Sequence, residues 1–100
     1  MRIAAKEYID NGYSKMDIEL ISPAISNILN SNKQTELDFG GVKYFTTYFF
    51  NHIIGCFMNK MSIVEYNQYV RVYSLSESVK ETYKQALNYA LEYYNNSRKN

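Results

Sequence analysis

The sequence is poor in residues that form cross-links or bind metals, and each shortage excludes a class of protein. It has one cysteine, Cys56, so no disulfide can form within the chain, which is usual in a reducing cytoplasm. It has one histidine, His52, and these two side chains are too few for a zinc site. No apolar run approaches the roughly 18 residues that cross a bilayer, and no signal peptide is recognisable. We therefore expect a cytoplasmic protein that binds no metal.

The charges of the chain nearly cancel. Lys and Arg number 11, Asp and Glu number 10, and the net charge is +1. This balance gives no overall field to attract nucleic acid or an anionic membrane. A hydrophobic content of 46% is typical of a folded domain, and 100 residues are enough for one core. We expect a single domain over residues 1–100, with a frayed polar tail over about 95–100.

Weak alternation near the start of the chain predicts a strand over residues 2–9. Its expected inward positions are Ile3, Ala5 and Ile9. Asp10-Asn11-Gly12 follows and is typical of a turn.

A helix is predicted next, over residues 15–30. Ser14 and Asp17 have the spacing of a capping box at its start. Pro23 lies inside this region, so either one helix kinks there or Ser22 caps a second helix. We favour one helix, bent near Ser22.

The densest signals lie in the middle of the chain. Residues 35–39 are rich in strand formers and predict a buried strand, which Gly40 and Gly41 close with a sharp turn. Thr46 or Thr47 is suited to cap the helix that follows. The apolar face of that helix has helical spacing and comprises Phe49, Phe50, Ile53, Ile54, Phe57, Met58 and Met61.

The last third predicts a helix, a strand and a longer helix. Ser62 and Glu65 form a capping-box pattern for a short helix to about Gln68. Residues 69–74 alternate like a strand, and Ser76 is suited to cap the final helix. The apolar stripe of the final helix comprises Val79, Tyr83, Ala86, Leu87, Ala90, Leu91 and Tyr94.

Strands that alternate with helices predict parallel crossovers in a small α/β domain. We expect a mixed or parallel sheet of about three to four strands, with the helices mainly on one face. Ligands and partners of such sheets bind at the carboxyl ends of the strands. Gly40-Gly41 lacks the spacing and the lysine of a phosphate-binding loop, so we expect no nucleotide cofactor.

The central stretch resembles a known family. Leu37-Asp38-Phe39-Gly40-Gly41-Val42, followed by Phe45-Thr46-Thr47-Tyr48-Phe49, is similar to the core of the STAS-like domain of unknown function. Glu65-Tyr66-Asn67 and the segment from Val70 to Glu77 extend the likeness to nearly the whole chain. The family is related to the STAS domains of anti-sigma factor antagonists and sulfate transporters. The resemblance implies a STAS-like fold.

The resemblance also implies a switch. In anti-sigma factor antagonists, a serine of this segment is phosphorylated by a partner kinase. Thr47 occupies that position and Thr46 precedes it, so Thr47, and after it Thr46, are candidate phosphate acceptors. The segment departs from the family where Thr46 replaces an aspartate, Tyr48 a serine and Phe49 a glycine. The competing interpretation is that the threonines only cap the helix.

We expect a partner surface around the carboxyl ends of the strands. The partner surface comprises Asp38, Gly40, Gly41, Tyr44, Thr46, Thr47, Tyr48, Tyr73 and Ser76. The chain has 11 tyrosines, a residue enriched in interface hot spots. The tyrosines expected to be exposed here are Tyr44, Tyr48, Tyr66, Tyr69 and Tyr73. Arg71 lies between Tyr69 and Tyr73, a pattern that also suits stacking on single-stranded nucleic acid. One arginine does not make a basic groove, so we favour a protein partner.

Three further side chains are assigned structural roles. We expect Asp38 to cap the glycine turn or accept from its amides. His52 is predicted to be a core or rim residue, and Cys56 a buried structural cysteine. No set of residues in the sequence points to an enzyme.

Two function classes remain. The favoured one is a non-enzymatic regulatory module that resembles an anti-sigma factor antagonist and is switched by a GHKL-type ATPase kinase. The alternative is a small phage or mobile-element interaction or inhibitor protein that kept the fold without the switch. Abundant Asn, Tyr, Lys and Ile are typical of an AT-rich bacterial or phage genome.

Overall fold

The structure, a computed structural model, describes the backbone of residues 2–31 and 34–98 and the side chains of residues 2–29 and 34–94. The strands are β1 (Arg2–Ala4), β2 (Asn11–Gly12), β3 (Thr35–Asp38), β4 (Lys43–Phe45) and β5 (Val70–Tyr73). The α-helices are α1 (Lys15–Ser31), α2 (Thr47–Phe57), α3 (Ile63–Tyr69) and α4 (Glu77–Arg98). The polar tail expected over about 95–100 is helical to Arg98, and Lys99 and Asn100 lie outside the described residues.

The main sheet has three parallel strands in the order β1-β3-β5. Ala4, Asp38 and Tyr73 lie side by side in its register, so all three strands end at the same edge. Strands β2 and β4 form a second, two-stranded parallel sheet. The predicted α/β class with parallel crossovers is confirmed.

The second sheet corrects the turn predicted at Asp10-Asn11-Gly12. The amide of Lys43 donates to the carbonyl of Asp10 at 2.9 Å, and the amide of Thr46 donates to the carbonyl of Gly12 at 3.1 Å. Asn11–Gly12 is therefore a strand. Its hydrogen-bond partners lie more than 30 positions away in the sequence. A turn motif reflects only adjacent residues, so it could not predict this pairing.

The first strand is shorter than predicted. It ends at Ala4, and a 3-10 helix over Ala5–Glu7 follows, with the amides of Tyr8 and Ile9 donating to the carbonyl of Ala5. Ile3, Ala5 and Ile9 are nevertheless buried, as the alternation predicted. These three side chains are buried because they are apolar and pack in the core. The backbone is nevertheless helical after Ala4, because Ala and Lys favour a helix.

Helix α1 runs without interruption through Pro23, which confirms one helical region rather than two. Its capping box is present: the amide of Asp17 donates to Ser14 Oγ at 3.1 Å, and the amide of Ser14 donates to Asp17 Oδ2 at 2.9 Å. Burial opposes ionisation of Asp17, yet hydrogen bonds from Ser14 and Tyr13 lower the pKa of its carboxyl. These bonds explain why the helix begins at Lys15.

One face of the main sheet packs on the helices. Ile3, Leu37 and Val70 point inward and are buried. The alternate residues of the strands form an open polar face, on which the Arg2 and Glu36 side chains are about half exposed. Helix α2 packs against both α1 and α4, which agrees with helices on one side of the sheet. No helix among the described residues has the length and apolar character needed to cross a bilayer.

Four phenylalanines fix the start of α2 against the glycine turn and the second sheet. Phe39, Phe45, Phe49 and Phe50 contact one another with ring centroids 5.2 to 6.2 Å apart. A Cβ on Gly12 would lie 2.6 Å from Phe45 Cδ1, so only glycine lets β2 approach this cluster. Burying one such ring stabilises the fold by about 1.5–3 kcal/mol.

Candidate functional site

The glycine turn after β3 forms one part of the partner surface. The amide of Gly40 donates to Asp38 Oδ1 at 2.9 Å, and Gly41 has a φ of 83°, which favours glycine. The amide of Gly40, the hydroxyl of Ser74 and the guanidinium of Arg2 together lower the pKa of the Asp38 carboxyl. Asp38 therefore accepts from the turn, as predicted, and remains ionised near neutral pH.

An exposed polar network joins this turn to β5. Arg2 forms ion pairs with Asp38 and, at 3.4 Å, with Glu36. The Tyr73 hydroxyl donates to Glu36 Oε2 at 3.3 Å, and the Arg2 guanidinium lies 5.8 Å from the centre of the Tyr73 ring. Exposed ion pairs add little stability, so the main effect of the network is to orient Tyr73, which stays 40% exposed.

Two residues of this region have strained backbones. Tyr44 has a φ of 52° and Ser74 a φ of 69°, and they are the non-glycine residues with positive φ in the described chain. Tyr44 lies just before α2, and its side chain is 73% exposed. Positive φ in a bulky residue costs on the order of 1–3 kcal/mol and persists only where the surroundings impose it.

The start of α2 separates the roles of the two threonines. Thr46 is the N-cap: its Oγ1 accepts from the amide of Phe49 at 3.1 Å and donates to the carbonyl of Tyr13 at 3.4 Å. Thr47 is the first helical residue and is half-buried. Its side chain has no hydrogen bond to the part of the chain that the structure describes. Only Thr46 therefore performs the capping that the sequence assigned to either residue.

Two more tyrosines flank the threonines. Tyr48 is 47% exposed, and its ring contacts the His52 imidazole edge-on at 4.6 Å. Tyr13 is 48% exposed and lies beside Thr46. The sequence did not point to Tyr13, because its position depends on the pairing of β2 with β4.

Two of the expected tyrosines are not part of this surface. Tyr66 is 1% exposed, and its hydroxyl lies 2.8 Å from the hydroxyl of Tyr83. Burial, and then Tyr83, raise the pKa of Tyr66 well above its ordinary value. Tyr69 is half-buried at the end of α3, beside the amino end of β5 and away from the carboxyl edge. The prediction was wrong because helix α3 turns the Tyr66 side chain into the core.

The residues of the partner surface fall into two groups. The first contains Asp38, Gly40, Gly41, Tyr73 and Ser76, near the ends of β3 and β5. The second contains Tyr44 in β4, and Thr46, Thr47 and Tyr48 at the start of α2. Lys6 lies beside the first group, since its side chain lies against Gly41, and its Nζ donates to Asp10 at 2.6 Å, next to the second sheet. Ser76 caps α4 through the amide of Val79 at 3.4 Å.

His52 and Cys56 do not form a metal site. His52 is exposed beside Tyr48, and Cys56 is half-buried with its Sγ 3.6 Å from Ser22 Oγ. The described residues contain no group of three or more His, Cys, Asp and Glu side chains placed to hold a metal ion.

Comparison with known proteins identifies the family. Residues 24–80 match the STAS-like domain of unknown function (DUF4325). The matched segment extends from within α1 to the first turn of α4, so it includes both groups of the partner surface. No curated protein and no solved structure gives a significant match. Because the match covers more than half of the chain, this protein belongs to the family of STAS-like domains of unknown function.

Proposed function

We propose that this STAS-like domain is a non-enzymatic regulatory module that binds a protein partner through the partner surface. The expected partner is a GHKL-type ATPase kinase or an anti-sigma-like regulator, as for the anti-sigma factor antagonists that the family resembles. In this proposal the start of α2 is the centre of the contact, and phosphorylation of Thr47 releases the partner.

Tyr44 is the observation that supports this proposal most. A large aromatic side chain is held 73% exposed, on a backbone with a φ of 52°, in β4, the strand that precedes α2. Exposure gains nothing from the hydrophobic effect and the backbone strain lowers stability, so folding alone does not favour tyrosine here. A partner that covers Tyr44 would bury its ring and so offset the cost of exposing it.

The geometry of α2 favours Thr47 over Thr46 as the phosphate acceptor. The Thr46 hydroxyl is used in two hydrogen bonds of the cap, and phosphorylation would break them. The Thr47 hydroxyl is not used among the described residues. A phosphate on Thr47 would add about −1.5 to −2 charges at the positive end of α2, where free backbone amides stabilise an anion. The domain would therefore stay folded while the surface presented to the partner became more negative.

Affinity capture from the native host, with the bound proteins identified by mass spectrometry, tests the proposal. The baits are the wild type, Thr47→Glu, Tyr44→Ala and the control Tyr89→Ala, which removes a tyrosine of similar exposure from α4. We expect the wild type and Tyr89→Ala to retain an ATPase or an anti-sigma-like protein, and the other two to lose it.

Each of the other outcomes has a definite meaning. If Thr47→Glu retains the partner while Tyr44→Ala loses it, the surface binds without a phosphorylation switch, as in the alternative of a phage interaction protein. If Tyr44→Ala retains the partner, the proposed surface is wrong. Incubation of the captured ATPase with ATP and the domain provides the second test: Thr47→Val should abolish the added phosphate mass, because it removes only the acceptor hydroxyl.

A further inference from the structure

Helix α1 carries apolar side chains on two opposite faces. Its buried face packs in the core and comprises Ile18, Ile21, Ile25 and Leu29. Nearly opposite, Met16, Leu20 and Pro23 follow one another at helical spacing, and we call these three residues the outer row. All three are exposed, Met16 to 69% and Leu20 to 52%. A surface helix normally has polar residues opposite its core face, so the outer row needs an explanation.

Helix α4 shows the usual pattern within the same molecule. Its buried positions include Ala86 and Ala90, and the exposed positions opposite them are Glu81, Lys84, Asn88 and Glu92. Those polar side chains are well solvated, whereas the outer row of α1 leaves apolar surface in contact with water. A partner that covered the outer row would therefore gain hydrophobic stabilisation.

The outer row continues into a hollow of about 300 Å³ beside β2 and the 3-10 helix. Leu20 lines this hollow together with Tyr8, which is 42% exposed. Single apolar residues on a surface are ordinary, but contiguous ones mark interaction sites. The apolar surface of α1 therefore extends across to the 3-10 helix as one patch.

Acidic side chains flank this patch on both sides. Glu19 is exposed on one side of the outer row, and Lys15 lies further round α1, beyond Glu19. On the other side, three carboxylates and one lysine line the hollow, and they belong to Glu7, Asp10, Asp17 and Lys6. That lysine is already paired with Asp10 at 2.6 Å. The rim is therefore negative, although the net charge of the whole chain is +1.

The charges of the rim select what covers the patch. A second copy of this chain would bring the same acidic rim against its own, and nucleic acids and anionic membranes also carry negative charge. Lysine or arginine side chains on a covering segment would be attracted instead. The outer row is a straight ridge along one helix face, and such a ridge packs into the groove of another helix.

We propose that the outer row and the adjoining hollow bind a basic amphipathic helix of a protein partner. The apolar stripe of that helix covers Met16 and Leu20, and its cationic side chains face Glu19 and Asp17. None of these residues belongs to the partner surface, so this interaction does not depend on the proposed function.

Nuclear magnetic resonance titration of the full chain with two synthetic amphipathic peptides tests the proposal. Both peptides have leucine at the same helical spacing, and their polar positions are lysine in one and glutamate in the other. We expect the lysine peptide to shift the backbone amides of Met16, Glu19 and Leu20. It should bind about tenfold more tightly than the glutamate peptide at low salt, and added salt should reduce the difference.

Variants assign the binding to the outer row and to its rim. Leu20→Gln should weaken the lysine peptide by about five- to tenfold, because about half of the leucine side chain is available for burial. The matched control Val64→Gln, at a position of α3 that is 68% exposed, should change nothing. Glu19→Lys should weaken binding and its salt dependence, whereas Glu92→Lys on α4 should not. All four melting temperatures should stay near that of the wild type, since these positions are exposed.

The proposal is wrong if the two peptides bind equally, if the shifted amides lie elsewhere, or if Leu20→Gln and Val64→Gln weaken binding alike. Sedimentation velocity, and flotation with vesicles of phosphatidylcholine and phosphatidylglycerol, test the other occupants. A dimer or a vesicle complex that Leu20→Gln abolishes would overturn the proposal and assign the outer row to a second copy or to a membrane.

Discussion

The cap of α2 gives the sharpest test of how the two threonines divide their roles. Thr46→Val keeps the shape of the side chain and removes the Oγ1 that accepts from Phe49 at 3.1 Å. Thr46→Ser keeps the oxygen and removes a half-buried methyl group. Thr47→Val removes a hydroxyl that makes no hydrogen bond among the described residues.

The expected magnitudes follow from these contacts. Loss of an N-cap costs about 1 kcal/mol, so Thr46→Val should lower the melting temperature by about 4–8 °C for a domain of this size. Thr46→Ser should lose less than half of that, since a fully buried methylene is worth about 0.8 kcal/mol and this methyl is only partly buried. Thr47→Val should stay within about 0.5 kcal/mol of the wild type.

Thermal unfolding followed by circular dichroism measures all three variants. Equal destabilisation by Thr46→Val and Thr47→Val would refute the assignment of the cap to Thr46. A larger loss for Thr46→Ser than for Thr46→Val would mean that methyl packing, and not the hydrogen bond, fixes the start of α2.

Three further predictions concern charge, buried hydroxyls and packing. The pKa of Asp38 is lower in the folded state than its unfolded value of about 3.9. The ionised carboxylate should therefore stabilise the fold fully above a pH of about 3.9, and this contribution should vanish as the pH falls through the folded pKa. The urea midpoints of the wild type and Asp38→Asn should accordingly converge in acid. Tyr83→Phe should lower the free energy of unfolding by about 1–3 kcal/mol, and by more than Tyr66→Phe, because it leaves the buried Tyr66 hydroxyl unpaired. If urea unfolding shows that the effects of the two substitutions simply add in the double variant, this coupling is contradicted. Gly12→Ala should lower the free energy of unfolding by about 1–3 kcal/mol, because the added Cβ would clash with the Phe45 ring, whereas Gly55→Ala should be neutral or stabilising. Equal melting temperatures of the two variants would show that the Phe45 ring moves aside freely.

The open sheet face shows why sequence patterns found the strands but missed the network on them. The strand formers of residues 35–39 and the alternation of residues 69–74 predicted two of its strands. It gave no reason for Arg2 to pair with Asp38 and Glu36, since these residues meet only through the parallel register of β1 and β3.

The sequence by itself determined the elements whose signals are local. The capping boxes at Ser14 and Ser62, the glycine turn at Gly41 and the apolar stripe of α2 each depend on residues within one or two helical turns. The resemblance to the family also depended on contiguous residues, chiefly those from Leu37 to Phe49.

Only the tertiary structure decided the features that join distant segments. The pairing of β2 with β4 placed Tyr13 beside Thr46, and the packing of α3 on α4 buried Tyr66 against Tyr83. A surface groove between α2 and the second half of α4 likewise exists only after the helices pack, because residues of both line it. Local propensity acts between neighbours in sequence, whereas burial and long-range hydrogen bonding act between neighbours in space.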